Sequence, residues 1–265
     1  MKNSQRLHLL LVPLLLLVGA CSARTPVLIA HRGNSSAAPE NTLAAVRSAL
    51  ALEIAPDLCE IDVHRSADGA LVVIHDDTLD RTAGVAGKVA DLPLAQLRRH
   101  PVGFAARFGE QFAGEPLPIL SEVLGLLEGT DTDLMIEIKV RGVGAEIARL
   151  LARRGELDRH LIASFDPGVV VDASMAVPRV RTLLLRGESD PEELELARRM
   201  GVDVLGVSER SLTPEAVQRA HEHGLELWVY TVNDTARATE LLDWGVDGLI
   251  TDRPAEMRAL APFAP

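Results

Sequence analysis

The chain has 265 residues, 47% of them hydrophobic, enough to bury one large core, and barrels of alternating parallel strands and helices reach about 250 residues as one domain. A formal charge of -11 repels a phosphate backbone and sets nucleic acid aside as a partner. It repels small anions too, so a phosphate-bearing substrate would need cations gathered locally, as a metal or as a few Lys and Arg.

At the N-terminus, Lys2 and Arg6 precede or enter an apolar run over residues 7–18 that is too short for a spanning helix of about 20 residues. Residues 1–20 read as a signal peptide. The run closes on Val18-Gly19-Ala20-Cys21, which resembles the lipobox of bacterial lipoproteins, where the cysteine takes a diacylglycerol thioether and becomes the new N-terminus. Lipidation of Cys21 implies an exported protein tethered through residues 21–26 to a membrane of the bacterial envelope. Ser22 in the next position resembles outer-membrane sorting in a Gram-negative host. Ordinary cleavage after Ala20 is the alternative. Cys59 then has no partner, and between Leu58 and Ile61 it reads as a small buried hydrophobe on a strand, so no disulfide framework is expected.

Short apolar runs suited to strands follow at residues 27–30, 58–63, 71–74, 134–138, 161–164, 180–185, 204–207, 225–230 and 248–250. Amphipathic stretches with helical spacing lie between most of them, at 42–52, 144–154, 191–200, 214–222 and 236–244. This alternation predicts a parallel sheet. The run at 71–74 is the exception, because Ser66-Ala67-Asp68-Gly69 is turn chemistry and leaves no room for a crossover helix, so it should fold back as a hairpin. Setting it apart leaves eight strands, the number a TIM (β/α)8 barrel needs, over residues 27–262. Residues 64–118 become an insertion after the second strand, broken by repeated Gly and Pro, with the second helix starting near Ser121 as its cap.

Barrel strands deliver their last inward side chains to one shared mouth, and here the predicted ends are charged. They read His31-Arg32-Gly33, Glu60-Ile61-Asp62 and Glu137-Ile138-Lys139, and the hairpin ends His75-Asp76. Residues i and i+2 of a strand share a face, so Glu60 with Asp62, and Glu137 with Lys139, aim inward together. Three carboxylates crowded in one mouth repel each other unless a cation joins them, and an all-oxygen set suits Mg or Ca better than zinc.

In this order and spacing the residues resemble the glycerophosphodiester phosphodiesterase family. The likeness runs through His31-Arg32-Gly33, Pro39-Glu40-Asn41-Thr42, Glu60-Ile61-Asp62-Val63, Asp68-Gly69, His75-Asp76, Leu79, Arg81-Thr82 and 117–122. It continues through Glu137-Ile138-Lys139, Ser164-Phe165, Thr231-Val232-Asn233 and 245–252, about residues 27 to 255 in all. The resemblance implies hydrolysis of a glycerophosphodiester to glycerol 3-phosphate and an alcohol. It implies that Glu60, Asp62 and Glu137 hold a divalent metal, that Arg32 and Lys139 hold phosphate oxygens, and that His31 and His75 are the general acid and base. It further implies that the substrate's own hydroxyl attacks first, giving a cyclic phosphate that water opens. Ser66, Pro56 and Tyr230 stand where the family more often has Thr, Gly and Trp, and residues 34–38 lack an aromatic often found there. The alternatives are a lysophospholipase D-like or phosphoinositide-like enzyme, favoured by an apolar lip on the insertion, and a non-catalytic binding lipoprotein, marked by lost site residues.

Other polar residues read as structure. His221 and His223 diverge on a helix, His64 and His100 read as exposed loop histidines, and Ser164 lacks a nucleophile elbow. Asp76 either orients His75 or caps a turn.

Overall fold

The computed structural model describes residues 25–263, so the leader and Cys21 lie outside the described residues. Its strands are β1 (Val27–Ala30), β2 (Leu58–Arg65), β3 (Leu71–Val73), β4 (Asp133–Ile138), β5 (His160–Ser164), β6 (Arg181–Arg186), β7 (Val204–Ser208), β8 (Glu226–Tyr230) and β9 (Gly248–Thr251). They pair in parallel in the order β1-β9-β8-β7-β6-β5-β4-β2, and β1 pairs with β2 to close the ring. β3 alone runs antiparallel, against the end of β2, with Val63 opposite Val73. The fold is a TIM barrel with the expected hairpin outside it.

Helices α1 (Leu43–Leu50), α2 (Leu120–Leu126), α3 (Gly144–Arg154), α4 (Pro167–Ala176), α5 (Pro191–Met200), α6 (Pro214–Glu222), α7 (Thr235–Asp243) and α8 (Pro254–Met257) wrap the ring. Most begin where a side-chain oxygen can take an orphan backbone N–H: Thr42 caps α1, Asp166 α4, Asp190 α5, Thr213 α6 and Asp234 α7. The cap expected at Ser121 is displaced, because α2 starts one residue earlier and the Glu122 carboxylate accepts the Ile119 N–H at 3.0 Å. Ser121 is left exposed in the first turn.

Two apolar layers hold the barrel. Between strands and helices lie residues such as Val46, Ile61, Ile136, Ile147, Leu205, Leu227, Leu241 and Leu249, all fully buried. Inside the ring, Ile29, Met135, Leu161, Leu183, Trp228 and Ile250 fill the lumen below the mouth. Trp228 is the largest of these, and Gly248 makes room for it, since a Cβ there would stand 2.9 Å from the indole. Cys59 is buried between β2 and the helices, and burial pushes its thiol up to about 12, so it stays an unreactive thiol. After β3 the insertion forms only short turns of helix around its own small core of Val72, Leu79, Val89, Leu97 and Leu117.

Candidate active site

At the C-terminal ends of the strands a cleft of about 210 Å³ opens, walled by His31, Arg32, Glu60, His75, Glu137 and Lys139 over an apolar floor of Met135, Leu185 and Ile250. Phe165 and Tyr230 stand edge to face at its rim, 5.8 Å apart, and the Tyr230 hydroxyl donates to the Arg186 carbonyl at 2.8 Å.

Strand parity brings the acids together. Glu60 and Asp62 follow Leu58 on the inward face of β2, Glu137 follows Met135 on β4, and the β2–β4 register sets Asp62 beside Glu137. The three carboxylates offer oxygens all within 4.8 Å of one another, and all three residues are buried. Burial first, then the charges of Asp62 and Glu137, push the Glu60 carboxyl well above its ordinary value. Burial and the charge of Asp62 likewise push Glu137 up to about 7. Asp62 goes the other way: burial opposes its ionisation, but Lys139 and Arg32 hold its carboxyl below the usual range.

Two cations and two backbone-fixed donors partly answer this charge. Lys139 places its ammonium 2.9 Å from Asp62 Oδ1 and also bonds Glu137. Arg32 lies in the left-handed region at φ 57°, which turns its N–H onto Glu60 Oε2 at 2.8 Å and its Nε to within 3.3 Å of Asp62 Oδ2. Asn41, also at positive φ, clasps Asp62 by donating to Oδ2 at 2.7 Å and accepting the Asp62 N–H at 2.9 Å. Strained backbone at two residues of one loop marks a site that the fold holds in place. Glu60 Oε1 is nonetheless buried with no hydrogen-bond partner. An unpaired oxygen buried among acids is costly, and a divalent cation joining Glu60, Asp62 and Glu137 would remove both the orphan and the repulsion. The donor set fits such an ion.

Both histidines present one ring edge to the cleft and lean the other on a carboxylate. His31 Nδ1 lies 2.7 Å from Asp252 Oδ1, and its Nε2 lies 3.9 Å from Glu60 Oε2. His75 Nδ1 lies 2.7 Å from Asp76 Oδ1, so Asp76 orients the ring instead of capping a turn. Arg81 grips Asp76 with Nε and Nη2 and grips Glu40 with Nη1 and Nη2, and Glu40 in turn takes Arg32 Nη1 at 2.7 Å. A continuous chain of hydrogen-bonded charged and polar groups therefore runs from His75 through Asp76, Arg81 and Glu40 to Arg32. Burial lowers the His75 ring pKa, and Arg81 pulls the Asp76 carboxyl down to about 2.

Residues 31–256 match the Glycerophosphoryl diester phosphodiesterase family. The chain belongs to that family. It is similar to a glycerophosphodiester phosphodiesterase of Caldanaerobacter subterraneus subsp. tengcongensis, 35% identical over 233 residues that cover 86% of this chain and 94% of the other. One from Bacillus subtilis is 30% identical over 247 residues, covering 85% and 83%. Among solved structures, an Oleispira antarctica phosphodiesterase in complex with the product sn-glycerol-3-phosphate superposes with a TM-score of 0.79 at 28% identity, covering 89% and 96%. As a glycerophosphoryl diester phosphodiesterase family member the chain has every residue singled out for chemistry at the barrel mouth: His31, Arg32, Glu60, Asp62, His75, Glu137 and Lys139.

Around them stand residues whose contacts the sequence did not disclose. Glu40, Asn41, Arg81 and Asp252 belong to the motifs quoted above, yet nothing in their spacing tells which side chains they meet. The reading of His64 is corrected. It is not an exposed loop histidine but is buried on β2, with Nε2 3.1 Å from the His75 carbonyl. The alternation that turns Glu60 and Asp62 inward extends one step further to His64, and that was the available signal. Ser164 is structural as expected, donating to the Ile138 carbonyl at 2.7 Å. His221 pairs with Asp247 on the outer surface, away from the cleft.

Proposed function

We propose that the protein hydrolyses water-soluble glycerophosphodiesters to glycerol 3-phosphate and an alcohol, with Mg or Ca held by Glu60, Asp62 and Glu137. The observation that carries this reading is the buried acidic triad flanked by two cations and by two carboxylate-backed imidazoles in one cleft. A bound divalent ion would supply positive charge where the phosphodiester gains negative charge on being attacked. Arg32 and Lys139 add fixed positive charge at the same place and hold the phosphate oxygens. His31 and His75 move the protons: one takes the proton of the substrate hydroxyl next to the phosphate, the other protonates the alkoxide as the bond from phosphorus to the alcohol oxygen breaks. The resulting cyclic phosphate is then opened by water, with the roles exchanged. We assign the first-step acid to His75, carried on the hairpin arm.

Among the described residues, the large hydrophobics that stand exposed are Phe165, Val171 and Met175, none of them on the insertion. The insertion's own aromatics, Phe104, Phe108 and Phe112, pack edge to face on one another and are half-buried, which favours a water-soluble substrate over a lysolipid. We further propose that Cys21 carries the lipid that holds the exported enzyme to the cell envelope, a reading supported by the Val18-Gly19-Ala20-Cys21 run. No helix among the described residues is long and apolar enough to cross a membrane.

The test is glycerol 3-phosphate release by the purified protein from glycerophosphocholine and glycerophosphoethanolamine, with chelator and with Mg or Ca restored. Activity that survives exhaustive chelation would overturn the metal assignment. Release of glycerol with a phosphorylated head group would overturn the bond assignment. Mass spectrometry of the mature N-terminus checks the lipid, and an unmodified cysteine would refute it.

A further inference from the structure

Behind His31, on the side away from the cleft, three segments meet that the reaction described so far does not use: the loop after β1, the loop after β8 and the end of β9. Asp252 is at their centre. Its Oδ1 lies 2.7 Å from His31 Nδ1 and accepts from Ser35 Oγ at 3.0 Å, while its Oδ2 accepts from Asn233 Nδ2 at 2.6 Å.

The directions of these bonds are fixed from the far end. Asn233 Oδ1 accepts the Asp252 backbone N–H at 2.9 Å and the Thr251 hydroxyl at 3.1 Å. An amide oxygen that already accepts an N–H cannot be exchanged with its NH2 group, so Asn233 Nδ2 must be the atom that donates to Asp252. Asp252 is thus an acceptor on both oxygens. Burial would favour its neutral form, but the bonds from His31, Asn233 and Ser35 hold its carboxyl below the usual range. The proton between Asp252 and His31 then sits on His31 Nδ1, and in the neutral ring Nε2 carries the lone pair and faces the cleft.

We propose that Asp252, locked by Asn233, is a positioning residue that holds His31 in the Nδ1–H tautomer, with Nε2 turned to the substrate. This rests on the reading of His31 as a proton-transfer group. A clip that merely ties β8 to β9 would need no particular tautomer on His31. Asp252→Asn separates the two roles. The bond from Asn233 Nδ2 keeps the new amide's oxygen on that side and turns its NH2 onto His31, which demands the opposite tautomer; the reverse orientation would set NH2 against NH2. Either way the strand ends stay joined by the backbone N–H of residue 252.

In metal-loaded protein, Asp252→Asn should lower kcat by about 10²-fold or more with KM changed little, as expected when a base is left in the wrong tautomer. Asp252→Glu should recover part of the loss. In a His31→Ala background Asp252→Asn should cost nothing further, because the group it positions is gone. Independently of turnover, nitrogen-15 NMR of the imidazoles should show the His31 proton on Nδ1 in the parent and on Nε2 in Asp252→Asn. The proposal is overturned if folded Asp252→Asn keeps kcat within about threefold of the parent, if its effect persists undiminished without His31, or if the parent holds the Nε2–H tautomer. Should Asp252→Asn not fold, the tautomer of the parent still decides. Asn233→Ala, which unlocks the carboxylate without replacing it, should then lower kcat with KM changed little and His31 still protonated on Nδ1; an unchanged kcat would overturn the lock. Near-normal turnover in His31→Ala would instead overturn both this proposal and the acid–base reading beneath it, whereas a slow His31→Ala beside a fast Asp252→Asn overturns this one alone.

Discussion

Glu137 ties the stability of the fold and the binding of metal to pH through a single site residue. Its carboxyl is pushed up to about 7 in the metal-free protein, so the folded state holds that proton more tightly than the unfolded chain does. The stability it contributes is complete below the ordinary carboxylate range and is lost as pH rises through about 7. Glu137→Gln removes the titrating group, so the melting temperature of the metal-free variant relative to the parent should climb between pH 5 and pH 8. Added Mg or Ca should raise the melting temperature of the parent more at pH 8 than at pH 5, because binding needs the ionised triad. A parent-minus-variant difference that stays flat across this range would contradict the placement of Glu137 among like charges. Alanine at Glu60, Asp62 or Glu137 should abolish turnover with the fold retained, and near-normal turnover in any one would remove it from the ligand set. The histidines give a second test at this scale, since proton transfer is worth about 10² to 10⁴ in rate. A p-nitrophenyl diester releases a phenolate that needs no proton. His75→Ala should therefore be slowed far less on it than on glycerophosphocholine, while His31→Ala should be slowed on both; the reverse pattern would exchange the two roles.

The loop between β1 and α1 shows what an element must do for such residues to meet. Gly33, at φ 77°, lets the chain double back over α1: a Cβ there would stand 2.7 Å from the Ala45 carbonyl carbon, backbone that cannot give way. Gly33→Ala should destabilise the protein by about 1–3 kcal/mol through the strained φ alone. It should also lower activity beyond its effect on folding, because the neighbouring Arg32 N–H is bonded to Glu60. Thermal melting and kcat at saturating metal check this, and a variant with parental stability and rate would show that the approach relaxes freely. Elements of this kind were legible in the sequence to unequal degrees. The strands were readable as short apolar runs, and α1, α3, α5, α6 and α7 as amphipathic stripes. α4 escaped notice because Val169-Val170-Val171 is β-branched and apolar on both faces, leaving Val171 and Met175 exposed, so the helical period is blurred. Its real signal was Asp166-Pro167, a cap followed by proline in the first turn. The charged strand ends were likewise readable, since strand parity alone turns them inward. Asp252 meets His31 across 221 residues of chain and Arg81 meets Glu40 across 41, which no local spacing encodes.

At the scale of the whole molecule, a parallel barrel has two unlike ends, and the chain enters at one while the chemistry sits at the other. Val27 opens β1 at the N-terminal rim, whereas His31 follows the same strand at the opposite mouth. Cys21 precedes Val27 by only six residues in sequence, which reach about 20 Å when fully extended. β2, with eight residues, is about 26 Å long on its own. If Cys21 carries the lipid proposed above, the tether is too short to swing the mouth round onto the bilayer that holds it, and the cleft faces the aqueous side. Substrates then arrive from solution. The lipidated protein on vesicles should cleave glycerophosphocholine at a rate close to that of the soluble Cys21→Ser form, and should leave lysophosphatidylcholine in the same vesicles essentially untouched. Lengthening the tether by about 20 flexible residues should change the first rate little. If it switches on lysolipid cleavage, orientation was the barrier; if it does not, the cleft itself rejects the acyl chain. Rapid turnover of the embedded lysolipid by the protein with its native tether would refute the outward-facing arrangement, whichever metal or histidine assignment holds.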